Sequence, residues 1–159
     1  MTPNIDLSIE CERWEAVDGL EKLAQTVIDA CLLETSQTLP VKAELSLLFC
    51  DDPAIRMLNK TWRNKDAPTN VLSFPVPTRK GRTPSPMLGD IVIAYETTAA
   101  EAKRDHKTLR DHTAHLIAHG FLHLMGHDHE IEAEAETMEA AERRILQHLG
   151  IADPYQSHV

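Results

Sequence analysis

At 159 residues the chain is long enough for one domain with its own core, and residues 1–159 read as a single unit. A formal charge of −9 argues against general attraction to nucleic acid, and no apolar run reaches the roughly 20 residues that span a bilayer. Cys11, Cys31 and Cys50 are widely spaced and form no C-x-x-C, which argues against a disulfide scaffold or a thiolate zinc site and fits a reducing cytoplasm.

In chain order, "MTPNIDLSIECERWE" has no basic segment followed by an apolar core, so no secretory leader is expected. "IDLSIE" alternates apolar and polar residues as a half-buried strand does. Residues 18–35 place Leu20, Leu23, Ala24, Val27, Ile28 and Cys31 on one helical face. "AELSLLFC" reads as a second strand. "DDPAIRMLNKTW" opens a helix, with an Asp at the cap position and Pro53 at the first helical position. "NVLSFP" is a short strand stopped by Pro75.

Pro75, Pro77, Pro84 and Pro86 then bracket a loop whose basic tip holds Arg79, Lys80 and Arg82. "GDIVIAY" is a fourth strand. Helical patterns follow over 96–105, 108–125 and 130–149. Strands early and helices late predict an α+β fold, a small mixed sheet of about four strands covered by helices.

Charge is unevenly spread along this order. Residues 60–110 carry ten Lys/Arg and five acids, a balance of +5 that leaves −14 for the remainder. A basic middle in an acidic chain can still meet a polyanion locally. Lys65 and the group Lys103, Arg104, Lys107 and Arg110 are candidate contacts, against the plainer reading of a solvated surface. The acidic run Glu130–Glu142 has apolar partners at Met138, Ala141, Ile145 and Leu149. It reads as an amphipathic helix with a solvated outer face.

The densest chemistry lies in "HGFLHLMGHDH", residues 119–129. His119 and His123 are four apart, so on a helix they stand about 40° apart around the axis and can reach one ion. Gly126 supplies the left-handed residue that ends the helix and lets His129 return. Three histidines leave a fourth position open, the pattern of catalytic rather than structural zinc. His115 shares that helical face and is either an outer partner or packing. Asp128 is an outer partner or a helix cap. His106, His112, His148 and His158 are expected at the surface.

The same histidine and glycine spacing occurs in the protease motif H-E-x-x-H-x-x-G-x-x-H, but Gly120 stands where that motif carries its glutamate base. A peptide substrate is therefore disfavoured.

These residues resemble the signature of the YbeY-type bacterial endoribonucleases, H-G-x-L-H-L-x-G-[YH]-D-H. "LNKTWRNKDAPTNVLSFP" is similar to the family's upstream motif, "LGDIVIA" to the strand that follows, and "EAETMEAAERRIL" to its closing helix. The resemblance covers residues 58–149 in order. It implies a zincin-like site on a helix and the following turn, one Zn²⁺ held by His119, His123 and His129, and a functional arginine at Arg63.

The resemblance further implies a cytoplasmic, single-strand-specific endoribonuclease. Its role would be ribosomal RNA maturation, including processing of the 16S 3′ end, and ribosome quality control. Implied partners are single-stranded RNA, small-subunit assembly components and an assembly GTPase. Arg63 fits such chemistry because its planar fork binds two phosphate oxygens at once; bracing the loop through Asp66 or a backbone carbonyl is the plainer role. His127 stands where many members have tyrosine. Two other readings stay open: a metallohydrolase of peptidase type, and a ribosome assembly factor with a structural metal.

Overall fold

The computed structural model describes residues 3–76, 86–126 and 132–155. Its elements are β1 (Asn4–Ile9), α1 (Leu20–Thr35), β2 (Glu44–Cys50), α2 (Asp52–Arg63), β3 (Val71–Pro75), β4 (Met87–Ala94), α3 (Tyr95–Arg104), α4 (Leu109–Leu124) and α5 (Glu132–His148). The strands form one sheet in the order β1-β2-β4-β3. β1–β2 and β2–β4 pair in parallel, while β3 pairs antiparallel with β4 and forms an edge. This is the expected α+β fold with a mixed four-stranded sheet.

Strand alternation sends successive side chains to opposite faces. Leu45, Leu47, Phe49, Ile91 and Ile93 face the main core, where α4 lies against β3 and β4 and packs in turn with α1 and α5. Cys50, Val92 and Ala94 face the other way and pack with Ile55 of α2. The apolar face of α1 is buried as its spacing predicts, and Cys31 and Cys50 are free thiols inside the protein. Burial pushes both thiols well above their ordinary pKa, which suits packing rather than nucleophilic work.

Two local details differ from the sequence reading. A short 3-10 turn at Glu12–Ala16 lacks any periodic signal, yet it buries Trp14, whose indole N–H donates to the Cys50 carbonyl at 2.9 Å. On α2, Asp51 takes the cap, accepting from the Ala54 N–H at 3.0 Å, so Pro53 is the second helical residue. Asp52 instead accepts from the backbone N–H and hydroxyl of Thr97, which fixes α2 to α3. The basic loop tip at Arg79, Lys80 and Arg82 lies outside the described residues.

Edge strand β3 separates the two layers that build the site. α4 lies along its core face and α2 along the other, so side chains from both can meet around the open edge.

Candidate functional site

Helix α4 begins at a Thr108 cap whose hydroxyl accepts from the Asp111 N–H. It carries His112, His115, His119 and His123 at spacings of three and four, hence along one face. Successive rings approach to 5.9, 6.3 and 4.7 Å between centroids, forming a ladder from the buried start of the helix to its open end. At that end the Nε2 atoms of His119 and His123 face one another at 3.1 Å. Both rings line a cleft of about 890 Å³.

A carboxylate stands behind this pair. Glu142 of α5 lies with its side chain fully buried; His119 Nδ1 is 2.5 Å from its Oε1 and His115 Nε2 is 2.9 Å from its Oε2. The Tyr155 hydroxyl also donates to Oε2. Burial would raise the pKa of this carboxyl, but the bonds from His115 and His119 outweigh it and hold the group down to about 2. Within the amphipathic helix expected here, Glu142 is, among the described residues, the acid of the run that does not lie on the solvated outer face. It sits on the buried stripe with Met138, Ala141 and Ile145, where an acid persists only with partners.

Arg63 reaches the cleft from the opposite layer. Its guanidinium lies 5.2 Å from the centre of the Phe74 ring and donates to the Ser73 carbonyl at 2.6 Å. Asp66 pairs with Arg56 at 2.7 Å, so of the two bracing roles only the carbonyl contact is made among the described bonds of Arg63. One bond leaves a five-donor guanidinium with capacity to spare. Asn59, buried on α2, receives the Lys65 N–H and donates to the Ala67 carbonyl, shaping the turn that brings Lys65 to the cleft wall.

Of the remaining basic candidates, three are employed locally. Arg104 pairs with Asp105, Lys107 donates to the Pro154 carbonyl and Arg110 to that of Asp18.

Gly120 explains more than a missing base. It faces the sheet, and a Cβ there would come within 2.8 Å of Ile91 Cγ2 and 3.1 Å of Ser73 Oγ. The Ser73 hydroxyl donates to the Gly120 carbonyl at 2.9 Å, so α4 is seated directly on β3 and β4. Gly126, at φ 97°, ends the helix with its N–H on the His123 carbonyl.

His112, expected at the surface, is instead buried. Its Nε2 meets Glu101 at 2.9 Å, because α3 folds against α4 there, and the same Glu101 oxygen accepts from Asn70.

The structure thus brings His119, His123 and Arg63 to one cleft. His129, His127 and Asp128 lie outside the described residues. Among the described residues, His115, His119 and Glu142 offer donor atoms within 4.8 Å of one another, a set able to hold a metal ion. The Nε2 pair of His119 and His123 offers a second arrangement: two ligands on a tetrahedral zinc lie roughly 3.3 Å apart for bonds of about 2.0–2.1 Å. Imidazole nitrogens at that separation fit a divalent transition metal.

No helix among the described residues is long and apolar enough to cross a membrane. A family model described as Endoribonuclease YbeY matches residues 8–150. A Methylocella silvestris protein named Endoribonuclease YbeY is 54% identical over 156 residues, covering 98% of this chain and 88% of its own. One of the same name from Agrobacterium fabrum is 49% identical, covering 96% of this chain and 94% of its own. A solution structure from Thermotoga maritima shares the fold, with a TM-score of 0.55 at 20% identity over 96% of this chain and 99% of that one. With the matched segment containing β2 to α5 and the whole cleft, the chain belongs to the Endoribonuclease YbeY family.

Proposed function

We propose that this chain is a zinc-dependent endoribonuclease, acting as a single cytoplasmic domain on single-stranded RNA in ribosomal RNA maturation and ribosome quality control. The observation that carries the reading is the facing Nε2 pair of His119 and His123 in the same cleft as Arg63 and Lys65. His129 completes the proposed ligand set, on its spacing after Gly126 and on the family resemblance. When bound there, zinc supplies an acidified water and polarises a phosphoryl oxygen.

The chain's own residues do the rest. Arg63, anchored at Ser73 and steadied over Phe74, presents its remaining N–H groups where a phosphodiester enters. Lys65 adds charge along the same wall for the strand backbone. The concentration of acids on α5 disfavours RNA on that side, so the strand is confined to the basic rim.

Edge strand β3 also argues against a peptide substrate. Asn70 and Val76 bond inward to β4, so Val71, Ser73 and Pro75 direct their backbone groups outward. The Val71 N–H is taken by Asn70 Oδ1, the Ser73 carbonyl by Arg63, and Pro75 has no N–H. A peptide laid along this edge finds few groups to pair with, whereas a phosphate meets Arg63 directly. Small-subunit assembly components and an assembly GTPase are the partners we propose, on the family resemblance alone.

The test offers zinc-loaded protein single-stranded RNA, duplex RNA and an unfolded polypeptide, beside His123→Ala and Arg63→Ala. The reading expects cleavage of single-stranded RNA alone, lost with a chelator and in His123→Ala. Undiminished RNA cleavage by His123→Ala, or hydrolysis of the polypeptide, contradicts it. A zinc-bound protein that cleaves nothing returns the reading to an assembly factor with a structural metal.

A further inference from the structure

We propose that Glu142 is a positioning residue for the metal: by accepting from His119 Nδ1 it fixes that ring with its Nε2 edge turned toward His123 and the cleft, without touching the ion. This inference rests on the metal reading above and names a residue that spacing alone does not select.

Distances decide between an ion-binding and an orienting carboxylate. Two ligands on one tetrahedral zinc stand roughly 3.3 Å apart. The 2.5 Å between His119 Nδ1 and Glu142 Oε1 is far too short for that, and marks a direct, short hydrogen bond between ring and carboxylate. The 3.1 Å between the two Nε2 atoms is close to the ligand spacing.

Occupancy points the same way. Both Glu142 oxygens are engaged, Oε1 by His119 and Oε2 by His115 and the Tyr155 hydroxyl. The side chain is fully buried and does not line the cleft, whereas His119 and His123 do. The Nδ1 edge of His119 faces a carboxylate oxygen, which favours the N–H there and turns the Nε2 edge of the ring into the cleft. Such an outer partner fixes ring orientation and raises ligand basicity.

The support continues into the C-terminal tail. After α5 the chain turns, Arg143 stacks 5.4 Å from the centre of the Tyr155 ring, and Arg143 also pairs with Asp153 at 3.2 Å. Tyr155 is thereby held with its hydroxyl on Glu142, and the tail becomes part of the metal's support.

The experiment measures zinc affinity by chelator competition for wild type, Glu142→Gln, Tyr155→Phe, His123→Ala and Glu101→Gln, with folding followed by circular dichroism. A second readout is the His119 tautomer of the metal-free wild type, taken from long-range ¹H–¹⁵N spectra. We expect Nδ1–H at His119, zinc weakened about 10- to 100-fold in Glu142→Gln and roughly two- to tenfold in Tyr155→Phe. Glu101→Gln, which alters the α3 carboxylate that meets His112 of α4, should stay within about twofold of wild type.

Wild-type affinity in a folded Glu142→Gln overturns the proposal, as does Nε2–H at His119. Retained binding in His123→Ala with complete loss in Glu142→Gln makes Glu142 a ligand and overturns it too. Should Glu142→Gln not fold, Tyr155→Phe and the tautomer decide. If wild type binds no zinc and cleaves no RNA, the function proposed above fails instead, an outcome distinct from all of these.

Discussion

Two of the histidine–carboxylate pairs on helix α4 look alike and lead to different places. His112 meets Glu101 at 2.9 Å and His119 meets Glu142 at 2.5 Å, each joining α4 to a neighbouring helix. Their other ring nitrogens separate them. His112 Nδ1 is buried with no hydrogen-bond partner among the described residues, whereas His119 Nε2 opens on the cleft and faces His123. A histidine bonded to a carboxylate is therefore not by itself a site; the direction of its second nitrogen makes it one.

The largest expected effect tests the cleft end of that ladder. His119→Ala or His123→Ala should abolish zinc binding and reduce cleavage by more than the roughly 100-fold that loss of an outer partner costs. Metal-free thermal stability of His123→Ala should stay close to wild type, since its ring is only partly buried at the cleft wall. Zinc affinity, cleavage rates and a melting curve measure this.

Next comes Arg63, which meets the same cleft without sharing the ion. Arg63→Ala should lower kcat/KM on single-stranded RNA by about 10²- to 10³-fold, as expected for removal of a preorganised donor, with zinc affinity retained. Arg63→Lys should restore only part, because an ammonium lacks the planar fork. Equal loss of zinc and activity in Arg63→Ala would make the arginine a scaffold only.

The opposite face of α4 should respond in stability rather than chemistry. In Gly120→Ala the new methyl meets Ile91 Cγ2, a branch of a stiff side chain, at 2.8 Å. Overpacking of about 1–3 kcal/mol outweighs a helix-propensity gain of roughly 1 kcal/mol, so denaturant unfolding should show a net loss. A more stable Gly120→Ala would mean that α4 can lift from the sheet without cost.

The smallest effect belongs to His112. Burial lowers its pKa despite the Glu101 bond, so the folded protein keeps it neutral where the unfolded chain takes a proton. Its contribution is present above the unfolded value near 6.5 and is lost as pH falls below it. In His112→Gln the fall in stability between about pH 6.5 and 5 should be shallower, by no more than roughly 1 kcal/mol. Zinc affinity at neutral pH should not move.

Legibility in the sequence followed the range of the signals. Periodicity located the strands and helices because each records burial along one short segment, as α1 and β2 illustrate. The i, i+4 histidines and Gly126 were readable for the same reason. Glu142 was not, since its partners lie 23 and 27 residues away and nothing local marks a carboxylate as buried. A trace was present: Glu142 falls between Met138 and Ile145 on the apolar stripe of α5, where an acid needs a partner.

His112 misled in the opposite sense, for its burial depends on α3 folding back. Gly120 was read as an absent base, yet its nearer cause is the approach of α4 to Ile91 and Ser73.

Zinc bound to this protein is expected on the Nε2 side of His119. An anomalous difference map from zinc-loaded crystals tests it most directly. The expected peak lies about 2.0–2.1 Å from Nε2 of both His119 and His123, with Glu142 outside bonding distance. A peak coordinated by His115 Nε2, His119 Nδ1 and Glu142 would contradict it.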